Sequence, residues 1–169
     1  MSKKNNRLKN FFYLFTILIA IWLALTTTFQ WQELSIGIFI SLVLALFLNK
    51  NYLKLGLPPV SIKRIIFFIL YISVLFIEIV KANFDVAYRV IHPKMPIKPG
   101  IVVIKTELKQ DIAKMILANS ITLTPGTFTL DIKGDELLIH WIYVHSENEK
   151  EATRIIGNKF EKYLSKVFL

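Results

Sequence analysis

The sequence predicts a membrane protein: an N-terminal transmembrane helical hairpin, a third membrane or interfacial helix, and a small α+β domain of order β-α-β-β-α. Three observations lead there. Long uncharged apolar runs fill the first half of the chain. Basic residues bracket those runs instead of lining a polar surface. Beyond a proline-rich linker, short stretches with strand and helix periodicity take over. The composition agrees, at 54% hydrophobic against 20% charged, more apolar and less charged than an ordinary soluble domain. Such a chain is too apolar to be disordered, and a free soluble enzyme is disfavoured. With no cysteine, a disulfide scaffold, a thiolate metal site and a cysteine nucleophile are excluded.

Residues 11–29 form the first span, an uncharged run about 28 Å long as a helix. No small-x-small cleavage site follows, and a second apolar run arrives at once, so this is a span and not a signal peptide. Gln30–Glu33 connects it to the second span, residues 34–48, with Trp31 and Lys50 as interfacial anchors. Small residues recur at i+4 in both: Ala20 and Ala24 in the first, Gly37, Ser41 and Ala45 in the second. Such faces let transmembrane helices approach closely, within the hairpin or between subunits.

Lys3, Lys4, Arg7 and Lys9 precede the hairpin, Lys50, Lys54, Lys63 and Arg64 follow it, and the connector carries only Glu33. The positive-inside rule then puts both ends of the hairpin in the cytoplasm. The net charge of +9 is therefore a topology signal, and no nucleic-acid partner is expected.

Pro58-Pro59 breaks the second helix, and Ser61 caps a new one over residues 62–92. Glu78, Lys81, Asp85 and Arg89 form a polar stripe on it, while Ile72, Phe76, Ile79 and Val86 are expected to face lipid or a partner. With only 65–77 free of charge, the helix is read as interfacial, with a true third span as the competitor. Glu78 is the carboxylate nearest the apolar run. It is an ion-path candidate or a snorkelling partner of Lys81.

Residues 101–169 form the small domain, expected in the cytoplasm, the membrane region being residues 1–92. Ile101–Lys105 is β-branched, Glu107–Ala118 has helical spacing, Phe128–Lys133 and Leu137–Val144 make a hairpin around Gly134-Asp135, and Glu149–Phe168 is amphipathic. The run Ala118–Thr127 reads as a turn with Pro125-Gly126 at its centre and hydroxyls around it. His140 and His145, five apart, would point to opposite faces of one strand, so no metal site is expected. No triad and no phosphate-binding glycine loop occur, and neither enzyme activity nor a cofactor is expected.

Four runs carry a resemblance: EIVKANFDV (Glu78–Val86), KPGI (Lys98–Ile101), ANSITLTPGT (Ala118–Thr127) and LIHWI (Leu138–Ile142). Together they resemble the E subunit of the bacterial Mrp-type multisubunit Na+/H+ antiporter. The resemblance implies a non-catalytic accessory component of a multi-pass cell-membrane complex, serving assembly and cation/proton exchange, with the other antiporter subunits and the lipid bilayer as partners. It also singles out the motif turn of Asn119, Thr122, Thr124, Pro125, Gly126 and Thr127, and the Lys81 and Asp85 stripe. The competing reading is a membrane-tethered module that recruits a cytoplasmic partner and is unrelated to transport.

Overall fold

A computed structural model describes the backbone of residues 2–26, 30–55 and 61–168, and the side chains of 11–26, 30–48 and 61–168. The chain divides into two compact units, Met1–Pro59 and Val60–Leu169. Residues 27–29 of the predicted first span, the Lys50 side chain and the Pro58-Pro59 break lie outside the described residues.

The first unit is a pair of helices, α1 (Ser2–Thr26) and α2 (Trp31–Leu55). Both exceed their predicted apolar runs, because the flanking polar residues include good helix formers that extend the hydrogen-bonded ladder. Trp31–Leu48 and Ile62–Ile91 are each long and apolar enough to cross a membrane, and Phe11–Thr26 is a shorter apolar helix. Small residues on α2 do the packing: Gly37, Ser41 and Ala45 are buried. The indole of Trp22 covers Gly37, where a Cβ would come within 2.4 Å of the ring, so only glycine fits. Ala20 and Ala24 are exposed, so the small-residue face of α1 does not meet that of α2.

The second unit begins with α3 (Ile62–Ile91). After the linker come β1 (Gly100–Lys105), α4 (Asp111–Leu123), β2 (Thr127–Lys133) and β3 (Glu136–Trp141). The last helical stretch joins α5 (Glu149–Ala152) through a π-helical turn, Thr153–Gly157, to α6 (Asn158–Phe168). The predicted β-α-β-β-α order is present. The sheet runs β1-β3-β2 and is antiparallel throughout, with an irregularity between Thr129 and Asp131.

Alternation sets the two faces of this sheet. Val102 and Ile104 of β1 and Leu137, Ile139 and Trp141 of β3 are buried under α4 and the C-terminal helix. Those helices contribute Leu117, Ile121, Ile156, Phe160 and Leu164 to the same core. Tyr71 of α3 joins it, so α3 belongs with the α+β core and not with the hairpin. The break between compact units therefore falls before α3, whereas the sequence reading put it at the 93–100 linker.

Candidate functional site

Three of the residues singled out in the sequence, Glu78, Val86 and Arg89, lie on one seam, where α3 meets the α+β core. α3 contributes Phe67, Tyr71, Leu75, Glu78, Val86 and Arg89, recurring at helical spacing along one face. From Phe67 to Arg89 this seam is about 33 Å long.

At one end, the Lys166 ammonium lies 4.8 Å from the Phe67 ring centroid. One turn on, the Tyr71 hydroxyl donates to Ser120 Oγ in a short buried hydrogen bond, while Ser120 Oγ donates to the Ile116 carbonyl at 2.7 Å. Glu78 follows, with Oε1 3.0 Å from Lys81 Nζ and Oε2 2.7 Å from Lys159 Nζ. The sequence pointed to Lys81; Lys159, 81 residues away, carried no signal. Glu78 is thus held by two cations, and its side chain is only 19% exposed.

At the far end, Arg89 makes a bidentate pair with Asp85, Nε to Oδ2 at 2.7 Å and Nη2 to Oδ1 at 3.1 Å. Its third nitrogen, Nη1, donates to the Pro96 carbonyl at 2.7 Å, and the guanidinium sits 4.5 Å from the Tyr143 ring centroid. This arginine therefore ties the end of α3 to both the linker and the strand exit. The polar stripe does not simply face water, as expected: Glu78 and Arg89 turn toward the domain, while Lys81 and Asp85 are exposed. Of the apolar set, Ile72 and Phe76 face outward, but Ile79 is half-buried and Val86 lies against the turn at Gly126.

The motif run Ala118–Thr127 is two structures. Asn119 and Thr122 lie on α4, and only Thr124–Thr127 form the turn. Ser, Asn and Thr usually favour caps and loops, but here Ser120 and Thr124 donate to carbonyls four residues back and are accommodated in the helix and its cap. The turn closes with Thr127 N–H donating to the Thr124 carbonyl at 3.2 Å, and Gly126 has φ +90°. Proline second and a left-handed glycine third give type II geometry. Thr127 Oγ1 donates to the carbonyls of Ile121 and Thr124 at 2.7 and 2.9 Å, capping the end of α4. The hydroxyls are thus engaged in holding the helix end, leaving no open hydroxyl-lined loop.

On the opposite side of the domain, Lys114 of α4 donates to the Gly134 carbonyl at 2.6 Å and to Asp135 Oδ1 at 3.0 Å. The lysine hydrogen bond and charge hold the Asp135 carboxyl below its usual range. Lys105, on β1, is held above the ordinary lysine value by its hydrogen bond to Glu149. His145 packs on Trp141 and Tyr143, beyond the end of β3, and His140 is exposed on the strand. Among the described residues no three histidine or acidic groups gather to hold a metal.

A protein family described as Na+/H+ ion antiporter subunit matches residues 15–167 of this chain. A curated relative, the Na(+)/H(+) antiporter E subunit of Alkalihalophilus pseudofirmus, is 38% identical over 135 residues, covering 78% of each chain. The chain belongs to the family of antiporter E subunits. The E1 subunit of the Staphylococcus aureus Na(+)/H(+) antiporter is 31% identical over 151 residues, covering 89% of this chain and 92% of the relative. A solved chain from the membrane-bound sulfane sulfur reductase, an archaeal respiratory membrane complex, is 47% identical with a TM-score of 0.80. That match covers 95% of this chain and 99% of the other. As a member of this family the chain is a cell-membrane protein and an accessory component of a multisubunit Na+/H+ antiporter, partnered by other subunits in the bilayer.

Proposed function

We propose that this chain is a scaffold whose hairpin crosses the membrane and whose α+β domain stands on the cytoplasmic side, carried on α3 lying in the interface. The carrying observation is the seam from Phe67 to Arg89, along which α3 packs on a domain bearing Lys159 and Lys166. Its length of about 33 Å equals the whole hydrocarbon thickness. A spanning α3 would carry those lysines into hydrocarbon, at several kcal/mol each. Lying flat, α3 gives its inner face to the domain and its outer face, with Ile69, Ile72, Phe76 and Phe84 exposed, to the interface. The basic segments on both sides of the hairpin support the same orientation.

In this reading Glu78 is an anchor for the domain and not an ion carrier, since both its oxygens are engaged by lysines. The test uses the absence of native cysteine. A cysteine replacing Lys133, which is 84% exposed, should be protected from an impermeant maleimide in intact cells and react once the membrane is opened. Labelling in intact cells would put the domain outside and overturn the orientation.

A second reading concerns the host complex. Identity to the chain from the respiratory sulfane sulfur reductase complex, 47%, exceeds the 38% to the Alkalihalophilus antiporter relative. This favours an antiporter module built into a larger respiratory complex. Gentle detergent extraction followed by an activity assay separates the two. Co-purifying sulfane sulfur reductase activity supports the respiratory host, and a complex without it supports a free-standing antiporter.

A further inference from the structure

We propose that the end of the second unit where α3 begins and α6 finishes docks on anionic phospholipid headgroups, an inference that rests on the interfacial α3 proposed above. The Glu78–Lys159 pair and the Lys166–Phe67 contact mean that α6 runs antiparallel to α3. Lys63 precedes Phe67 by one helical turn and shares its face, as Lys162 does for Lys166. Lys63 and Lys166 thus mark this end, with Lys162 one turn along α6 toward Lys159, and among the described residues none of the three makes an ion pair.

Lys162 borders a cavity that Glu107, Asp135 and Glu161 also line, while Lys63 and Lys166 have no acidic side chain paired with them among the described residues. No acidic residue occurs between Glu33 and Glu78. Glu78 is occupied by Lys81 and Lys159, and Glu161 of α6 accepts from the Glu107 backbone N–H at 2.6 Å. Beside Lys63 on the surface of α3 lie Ile66 and Leu70, exposed by 52% and 43%. An apolar strip edged by unpaired ammonium groups matches the boundary between acyl chains and phosphodiesters: the strip sinks in, and the lysines snorkel to the phosphates. Chain continuity favours lipid as the occupant, because α3 follows a membrane-length apolar helix after a short connector.

The test uses the assembled complex carrying Ile69→Cys labelled with an environment-sensitive fluorophore. It is reconstituted into phosphatidylcholine bilayers containing an equal fraction of acyl-brominated phosphatidylglycerol or acyl-brominated phosphatidylcholine. Brominated phosphatidylglycerol should quench several-fold more strongly. Replacing Lys63, Lys162 and Lys166 by glutamine should lower that preference stepwise, until it disappears in the triple variant. Lys133→Gln, on the β2–β3 hairpin, should leave it unchanged. Equal quenching by the two lipids in the unmodified chain, or an equal loss in Lys133→Gln, would overturn the anionic site while leaving α3 in the interface. Quenching by neither lipid would mean that a protein partner covers this face, and would overturn the interfacial reading as well.

Discussion

Glu78 Oε2 on α3 and Lys159 Nζ on α6 lie 2.7 Å apart, joining segments separated by 81 residues of sequence. Both side chains are largely withdrawn from water, 19% and 31% exposed. The pair therefore reports directly on whether α3 is seated on the domain. A double-mutant cycle of Glu78→Gln and Lys159→Gln should return a coupling of about 1 kcal/mol, the upper part of the range for accessible pairs. Urea unfolding of the purified protein in detergent measures it. Coupling near zero would mean that the helix is not seated in solution.

Transport separates an anchor from an ion path at the same residue. Glu78→Gln keeps the side-chain volume and loses the charge. As an anchor it should leave sodium-dependent proton exchange in vesicles near normal, with the chain retained in the complex. Collapse of exchange in a fully assembled complex would reinstate Glu78 as an ion carrier.

Tyr71→Phe removes one hydroxyl from the buried bond to Ser120, while Ser120 keeps its bond to the Ile116 carbonyl. The expected cost is about 1 kcal/mol. Ser120→Ala leaves the tyrosine hydroxyl buried without a partner and should cost more, about 1–3 kcal/mol. The reverse order in thermal unfolding would contradict the assigned donor and acceptor.

Gly126→Ala combines two penalties. The position has φ +90°, and a Cβ there would lie 2.9 Å from Ile142 Cγ2. We expect a loss of about 1–3 kcal/mol, since left-handed backbone strain alone costs of that order. A neutral effect in thermal unfolding would show that the turn can rearrange.

Asp135 gives the acid response. Hydrogen bonding and charge from Lys114 lower its pKa in the folded chain below the ordinary value of 3.8. A carboxyl depressed on folding adds stability above its unfolded pKa and loses it as the pH falls through the folded one. Asp135→Asn should therefore be less stable than the parent at about pH 6, and the two melting curves should converge in strongly acidic solution, below the folded pKa. A constant gap at all pH values would mean that the carboxylate charge is not what stabilises the hairpin.

The three strands, the helix between them and the amphipathic last helix were legible because composition and periodicity are local signals. In β2, Phe128, Leu130 and Ile132 alternate with polar residues, yet that apolar face is exposed and not half-buried as the alternation suggested. β1 and β3 are apolar runs without alternation, and only the sheet separates the buried Val102, Ile104, Leu137 and Ile139 from their neighbours. The end of α4 was not legible: Asn119, Ser120 and Thr122 have loop-forming chemistry, and only the back-bonds of Ser120 and Thr124 show why the helix runs on. The seam was half legible. Glu78 and Arg89 stand out as charges beside an apolar run, but Lys159 is one lysine among several on α6, and only the tertiary fold selects it. The exposure of Ala20 and Ala24 shows the same limit, because a small-residue face says that a helix can be approached closely and not by what.

Whether α3 stays seated on the α+β domain inside the membrane is tested most directly by cysteine crosslinking in a chain that has no cysteine of its own. Two double variants, Phe67→Cys with Lys166→Cys and Glu78→Cys with Lys159→Cys, sample positions along one seam. In native membranes, a bifunctional thiol crosslinker long enough to replace the two side chains should join both pairs within the same chain and leave the complex assembled. Failure of both pairs to close, with the cysteines of α3 instead reached only by membrane-permeant reagents, would mean that α3 leaves the domain and crosses the bilayer alone.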